Sequence, residues 1–107
     1  MQAFEVETLL QQQRAKASDL YMEFLRRPSM SMGIYTLPAG AHDPQEPHEQ
    51  DEVYYVLAGR ATLEVQGEEQ PVQSGSIVYV PAYAVHRFHS IEEELTVLVF
   101  FAPAETP

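Results

Sequence analysis

An all-β fold, an antiparallel sandwich or barrel with a short N-terminal helix, is the class this sequence predicts. Short apolar runs of strand length recur about every 8–12 residues. One of them, RATLEVQG, alternates cleanly, with Ala61, Leu63 and Val65 on one side. Glycine and proline punctuate the gaps between runs. Together these features predict about seven or eight short strands.

Helix formers dominate VETLLQQQRAKA, where Val6, Leu9, Leu10 and Gln13 fall near one face. This predicts a helical segment within residues 1–17, with 18–103 as the β-barrel of a single domain spanning 1–107. DLYMEFLRR (19–27) and SMSMGIYTL (29–37) read as strands parted by Pro28. LPAGAHDPQEP (37–47) holds three prolines and a glycine, so it reads as an irregular loop. EVYYVLAG is a strand ending at Gly59, RATLEVQG is the next, and GEEQPV (67–72) is a turn. GSIVYVPAYAVHRFHSI holds two strands hinged at Pro81, and LTVLVFFAP is the last. YYVL and VLVFF are apolar on both faces, which suits strands covered on both sides. For so small a barrel the simplest outer cover is a second copy, so a homodimer is expected.

The charge balance narrows the partners. With 16 Asp+Glu against 6 Lys+Arg, the formal charge is −10. Phosphate backbones and anionic membrane surfaces demand cationic contacts, so neither nucleic acid nor membrane is expected as a partner. No run approaches the ~18 apolar residues that suggest a membrane span. The absence of cysteine excludes disulfides and thiolate metal sites. The opening MQAFEVETLLQQQRAK lacks the basic start and apolar core of a signal peptide, so a cytoplasmic, soluble protein is expected.

The chemistry gathers around PHEQDEVYYVLAG (47–59). Glu46, His48 and Glu52 stand at even spacing, which along an extended chain puts side chains on one face. Further on, His86 lies just past a strand, beyond Pro81. If the two strands are neighbours in a barrel, His48, Glu52 and His86 converge on its interior. Two imidazoles and a carboxylate with open positions form the arrangement of non-haem Fe(II) sites. Mn, Ni, Co and Zn accept the same ligands, so a divalent transition metal is expected without its identity.

These residues resemble the two motifs of the cupins. The first motif is glycine, five residues, His-x-His, three or four residues, Glu, six residues, glycine. This chain has Gly40, then Glu46-Pro47-His48, Glu52 and Gly59 at those spacings. The second is glycine, five residues, Pro-x-Gly, two residues, His, three residues, Asn. Here it is Gly75, Pro81-Ala82-Tyr83, His86 and Ser90. The resemblance spans about half the chain and implies a double-stranded β-helix, or jelly roll. It also implies His48, Glu52 and His86 as metal ligands, with Glu46 as a further candidate. Glu46 stands where the family has a histidine, which leaves three arrangements open. It ligates as a second carboxylate, or it points away, or the site holds no metal.

The implied function is a small metal-binding cupin, an enzyme of dioxygenase or isomerase type acting on a small organic molecule. The alternative is a non-catalytic small-ligand or sensor module, metal-free if the trio is only a hydrogen-bonded polar cluster. Other residues carry lesser expectations. His42 sits in a loop and is a substitute ligand only if it swings inward. His89 falls on the opposite strand face from His86, at the surface. Gln45 and Gln50 flank the ligand positions as partners for them. Tyr83 is expected to narrow the pocket mouth, and Arg87 to stand near it. Tyr54, Val56, Val78, Val80, Phe88 and Phe100 line an apolar pocket or, for the majority, form plain core.

Overall fold

The computed structural model describes residues 1–16 and 20–106. It contains helix α1 (Val6–Ala15) and strands β1 (Tyr21–Arg27), β2 (Met30–Leu37), β3 (Asp51–Val65), β4 (Glu68–Gln73), β5 (Ile77–Val80) and β6 (His86–Ala102). The expected helical boundary at Ala17, the barrel start at Ser18 and the strand start at Asp19 lie outside the described residues. All strand pairings are antiparallel. No helix among the described residues is long and apolar enough to cross a membrane.

The described strands are fewer and longer than the sequence predicts, because two of them bend where breaks were expected. β3 does not end at Gly59 but runs through it. Gly59 has φ +93°, and a Cβ there would stand 2.1 Å from the Glu94 carbonyl oxygen. The absence of a side chain lets β3 and β6 cross closely while β3 changes direction. Pairing slips in steps between Val56 and Thr62, and the buried set switches from Glu52, Tyr54 and Val56 to Ala61 and Leu63.

Bending lets each long strand serve two sheets. One half of β3 lies between β5 and residues 97–102 of β6, and β2 and β1 extend that sheet beyond β6. The other half of β3 lies between β4 and residues 86–93 of β6. The expected turn over 67–72 is confined to Gln66 and Gly67, and β4 begins at Glu68. Pro71 sits within β4, opposite Thr62, on a strand paired along one edge only. Its missing N–H costs nothing to the ladder if it faces the open edge.

The core fills the space between the sheets, with Leu37, Tyr54, Val56, Leu63, Phe88, Leu95 and Val97 almost wholly enclosed. Outside it, α1 packs Leu9 against Met22 and Ile34. Gln13 pins the helix: its amide donates to the carbonyls of Leu20 (2.9 Å) and Ile34 (3.0 Å) and accepts from the Thr36 hydroxyl (2.7 Å). One part of the outer surface is therefore covered by the chain's own helix. Tyr55 and Ile77, paired across β3 and β5, stay exposed.

Candidate metal centre

His48 comes from the loop before β3, Glu52 from the second residue of β3, and His86 from the first residue of β6. The loop is not a strand, since Pro44 and Pro47 remove donors that a ladder would need. The even-spacing argument therefore holds for no regular element at Glu46, which is exposed and lies outside the converging set. The Tyr83 N–H donates to the His48 carbonyl at 2.6 Å, which joins the two loops that carry the histidines.

One ligand atom each from His48, Glu52 and His86 can be chosen so that all lie within 4.8 Å of one another. Glu52 Oε1 and His86 Nε2 are 3.2 Å apart, and both side chains are 1% exposed. Their approach is too poorly aligned for a hydrogen bond. His48 Nε2, His86 Nε2 and both Glu52 oxygens thus remain buried without a hydrogen-bonding partner.

Each of the remaining imidazole nitrogens faces an oxygen, His86 Nδ1 in a hydrogen bond and His48 Nδ1 in an ion-pair contact that is not aligned as one. His86 Nδ1 lies 2.8 Å from the Ala84 carbonyl, which only accepts, so Nδ1 carries the proton and donates. His48 Nδ1 lies 3.1 Å from Glu105 Oε2. His86 thus turns a free Nε2 toward Glu52, and His48 Nε2 is buried and free as well. Leaving such atoms unsatisfied costs roughly 1–3 kcal/mol each, and more for a charged group. A divalent cation among them would satisfy all three residues, and the imidazole–carboxylate set suits a transition ion. The residues present fit such a group.

Burial pulls the His86 pKa down, but the Glu52 carboxylate and the Ala84 carbonyl outweigh it and hold the value above 6.5. Burial lowers His48 below its usual value, partly opposed by Glu52. Burial raises Glu105 above the usual carboxylate range, and the nearby charge of Glu52 adds to this.

Asp43, 4% exposed, organises the surrounding wall. It accepts from the Tyr35 hydroxyl (2.6 Å), the Gln45 amide side chain (2.8 Å), the Gln45 N–H (3.2 Å) and the Phe88 N–H (2.8 Å). Gln45 in turn accepts from the Tyr54 hydroxyl at 2.9 Å. A cavity of about 130 Å³ opens beside the trio. Tyr21, Tyr35 and Gln45 line it with Val99 and Phe101, while His48, Glu52 and Glu105 supply its polar groups.

A cupin-domain model matches residues 33–102 of this sequence. The chain belongs to the cupin family. It is 49% identical over 106 residues to an uncharacterized protein of Streptomyces coelicolor, covering 99% of this chain and all of that one. Among solved structures it is similar to the cupin domain of Schizosaccharomyces pombe Cnp3, with a TM-score of 0.71 and 19% identity. That match covers 78% of this chain and 63% of the other. It is also similar to the DMSP lyase DddQ of Ruegeria pomeroyi, with a TM-score of 0.70, 22% identity, and 82% and 49% of the two chains covered. This chain thus spans less than two thirds of either solved chain, and the likeness shows a shared jelly-roll fold.

Two departures from the cupin motif fall on residues with left-handed backbone. Tyr83, at the glycine position, has φ 66°, and Ser90, at the asparagine position, has φ 50°. Glycine and asparagine are the residues that adopt this region most readily, so the motif's spacing encodes backbone shape here. Tyr83 does not narrow the cavity: its side chain points outward and is 71% exposed. His42 is not among the converging ligands. His89 lies on the opposite face from His86, as its position predicts, and pairs with Glu69 at 3.0 Å. Arg87 pairs with Glu64 at 3.6 Å rather than with the cavity. Tyr54, Val56, Val80 and Phe88 are core, whereas the cavity takes Val99 and Phe101 instead of Phe100.

Sequence reasoning missed Asp43, Tyr21, Tyr35 and Glu105. Asp43 had a signal, since Asp-Pro-Gln favours a turn in which the carboxylate accepts the N–H two residues on. The others had none.

Proposed function

We propose that this cupin binds one divalent transition metal through His48, Glu52 and His86 and acts on a small organic molecule beside it. The observation that carries this reading is the convergence of buried, unpartnered nitrogen and oxygen atoms from three chain segments. When bound, the ion supplies Lewis-acid polarisation of an oxygen ligand. The protein's own share is positional. Val99 and Phe101 keep one wall apolar, while Asp43 and Tyr54 hold Gln45 against the other. The Tyr21 hydroxyl, buried and without a partner, offers a donor to a molecule in the cavity. At about 130 Å³ the cavity suits a compact ligand. A solved cupin of the same fold is named a DMSP lyase, which supports a catalytic use of such a barrel, though not that substrate here.

A second reading is a non-catalytic small-ligand module, favoured by the 3.2 Å approach of Glu52 to His86, which pairs them without any ion. Metal content by plasma mass spectrometry decides between the two. About one equivalent in the wild type, lost in a His48→Ala/His86→Ala double variant, is the expected result. No metal in either protein after anaerobic reconstitution would replace the first reading with the second.

A further inference from the structure

The cavity's second carboxylate comes from outside the cupin match. Glu105 lies in the tail beyond β6, past residue 102 where the matched segment stops. That tail is fastened at several points. The Glu105 N–H donates to Ser31 Oγ at 3.0 Å, and Ser31 is fully buried in β2. Arg26 Nη2 donates to the Glu105 carbonyl at 2.5 Å, and Gln50 Nε2 donates to the Thr106 hydroxyl at 3.3 Å. These bonds bring Glu105 Oε2 to 3.1 Å from His48 Nδ1, with both side chains about four-fifths buried. Phe101 packs edge-on against the same imidazole, with ring centroids 5.1 Å apart.

We infer that Glu105 is a positioning residue of the proposed centre: its carboxylate holds His48 in the Nδ1–H form and aims Nε2 at the point shared with Glu52 and His86. The inference rests on the metal-binding reading given above. A carboxylate oxygen 3.1 Å from Nδ1 repels a lone pair there and attracts an N–H, so it favours the proton at Nδ1 and leaves the lone pair at Nε2. His86 is oriented in the same sense by the Ala84 carbonyl. Each histidine thus has an acceptor behind it, backbone for one and side chain for the other. A carboxylate behind a ligating imidazole also raises its basicity. Because Glu105 sits on a tail rather than in the sheets, its side chain is separable from the fold.

The test uses the full chain with ¹⁵N-labelled histidine, metal-free, at a pH above the imidazole titration. Long-range ¹H–¹⁵N spectra should show His48 as the Nδ1–H tautomer in the wild type. Glu105→Ala should shift it toward Nε2–H while His86, held by Ala84, stays unchanged. Glu105→Gln should keep the wild-type pattern, since an amide oxygen still accepts. In parallel, Zn²⁺ competition against a chromophoric chelator should show affinity about 10–100-fold weaker in Glu105→Ala, with partial recovery in Glu105→Gln. An unchanged tautomer together with unchanged Zn²⁺ affinity in Glu105→Ala would overturn the inference. Failure of the wild type to take up Zn²⁺ would remove the metal reading instead, and the tautomer comparison would then decide the role of Glu105 alone.

Discussion

Glu52 Oε1 and His86 Nε2 stand 3.2 Å apart with both side chains almost wholly buried, although strand pairing sets neither residue against the other. Glu52 pairs with Phe101 and Val80, and His86 with Val65. They meet because β3 and β6 bend together, carrying the ends of two sheets over one another.

That contact sets the protonation order of the two histidines in the metal-free protein. His86, raised by Glu52 and the Ala84 carbonyl against the pull of burial, should titrate above 6.5. His48, lowered by burial, should titrate below it. A folded value above the unfolded one means His86 stabilises the fold below about pH 6.5, and loses that contribution as pH rises through the folded value. His48 acts in the opposite sense, costing stability as pH falls from 6.5 toward its folded value. NMR titration of the imidazole Cε1 protons reads both, and in Glu52→Gln the His86 value should fall. A wild-type His86 titrating below His48 would contradict this account.

Gly59 should tolerate no side chain. Its φ of +93° opposes substitution, and so, independently, does the Glu94 carbonyl oxygen, which lies 2.1 Å from where a Cβ would stand. Gly59→Ala is expected to destabilise the fold by about 3 kcal/mol, from backbone strain and overpacking together. Urea unfolding measures it, and a loss below about 1 kcal/mol would mean that the two strands part easily at the bend.

Tyr83 and Ser90 should behave in the reverse way. Left-handed backbone costs a non-glycine residue roughly 1–2 kcal/mol, and the Tyr83 side chain is mostly in solvent. Tyr83→Gly removes that strain but frees the unfolded chain by up to about 1 kcal/mol, so net stability should hold or rise slightly. Ser90→Asn should rise by a few tenths of a kcal/mol on the same backbone ground, less whatever the Ser90–His89 hydrogen bond contributes. Thermal unfolding checks both, and a marked drop for Tyr83→Gly would show that the exposed ring contributes packing.

Much of the fold was legible because local patterns carried it. The alternation in RATLEVQG survives as buried Ala61 and Leu63 in β3, and the helix formers of 6–15 do form α1. Strand ends were misplaced at Gly59 and in the segment after Ser90. A glycine reads as a stop when it stands alone, whereas here its φ serves a bend inside a strand that neighbouring strands hold in place.

By itself the sequence determined the all-β class, and its resemblance to the cupin motifs implied the jelly roll and the three residues, His48, Glu52 and His86, that the barrel brings together. Class and motifs are written in residue type and short-range interval, which any copy of the chain carries before it folds. The outward turn of Glu46, the reach of Asp43 to the Tyr35 hydroxyl and the Phe88 N–H, and the arrival of Glu105 behind His48 were decided only by tertiary structure. Each depends on contacts that the folded chain makes, and for Glu105 the closing of a long loop is compensated by bonds such as those the tail donates to Ser31 and accepts from Arg26. No periodicity within a single segment records such a contact.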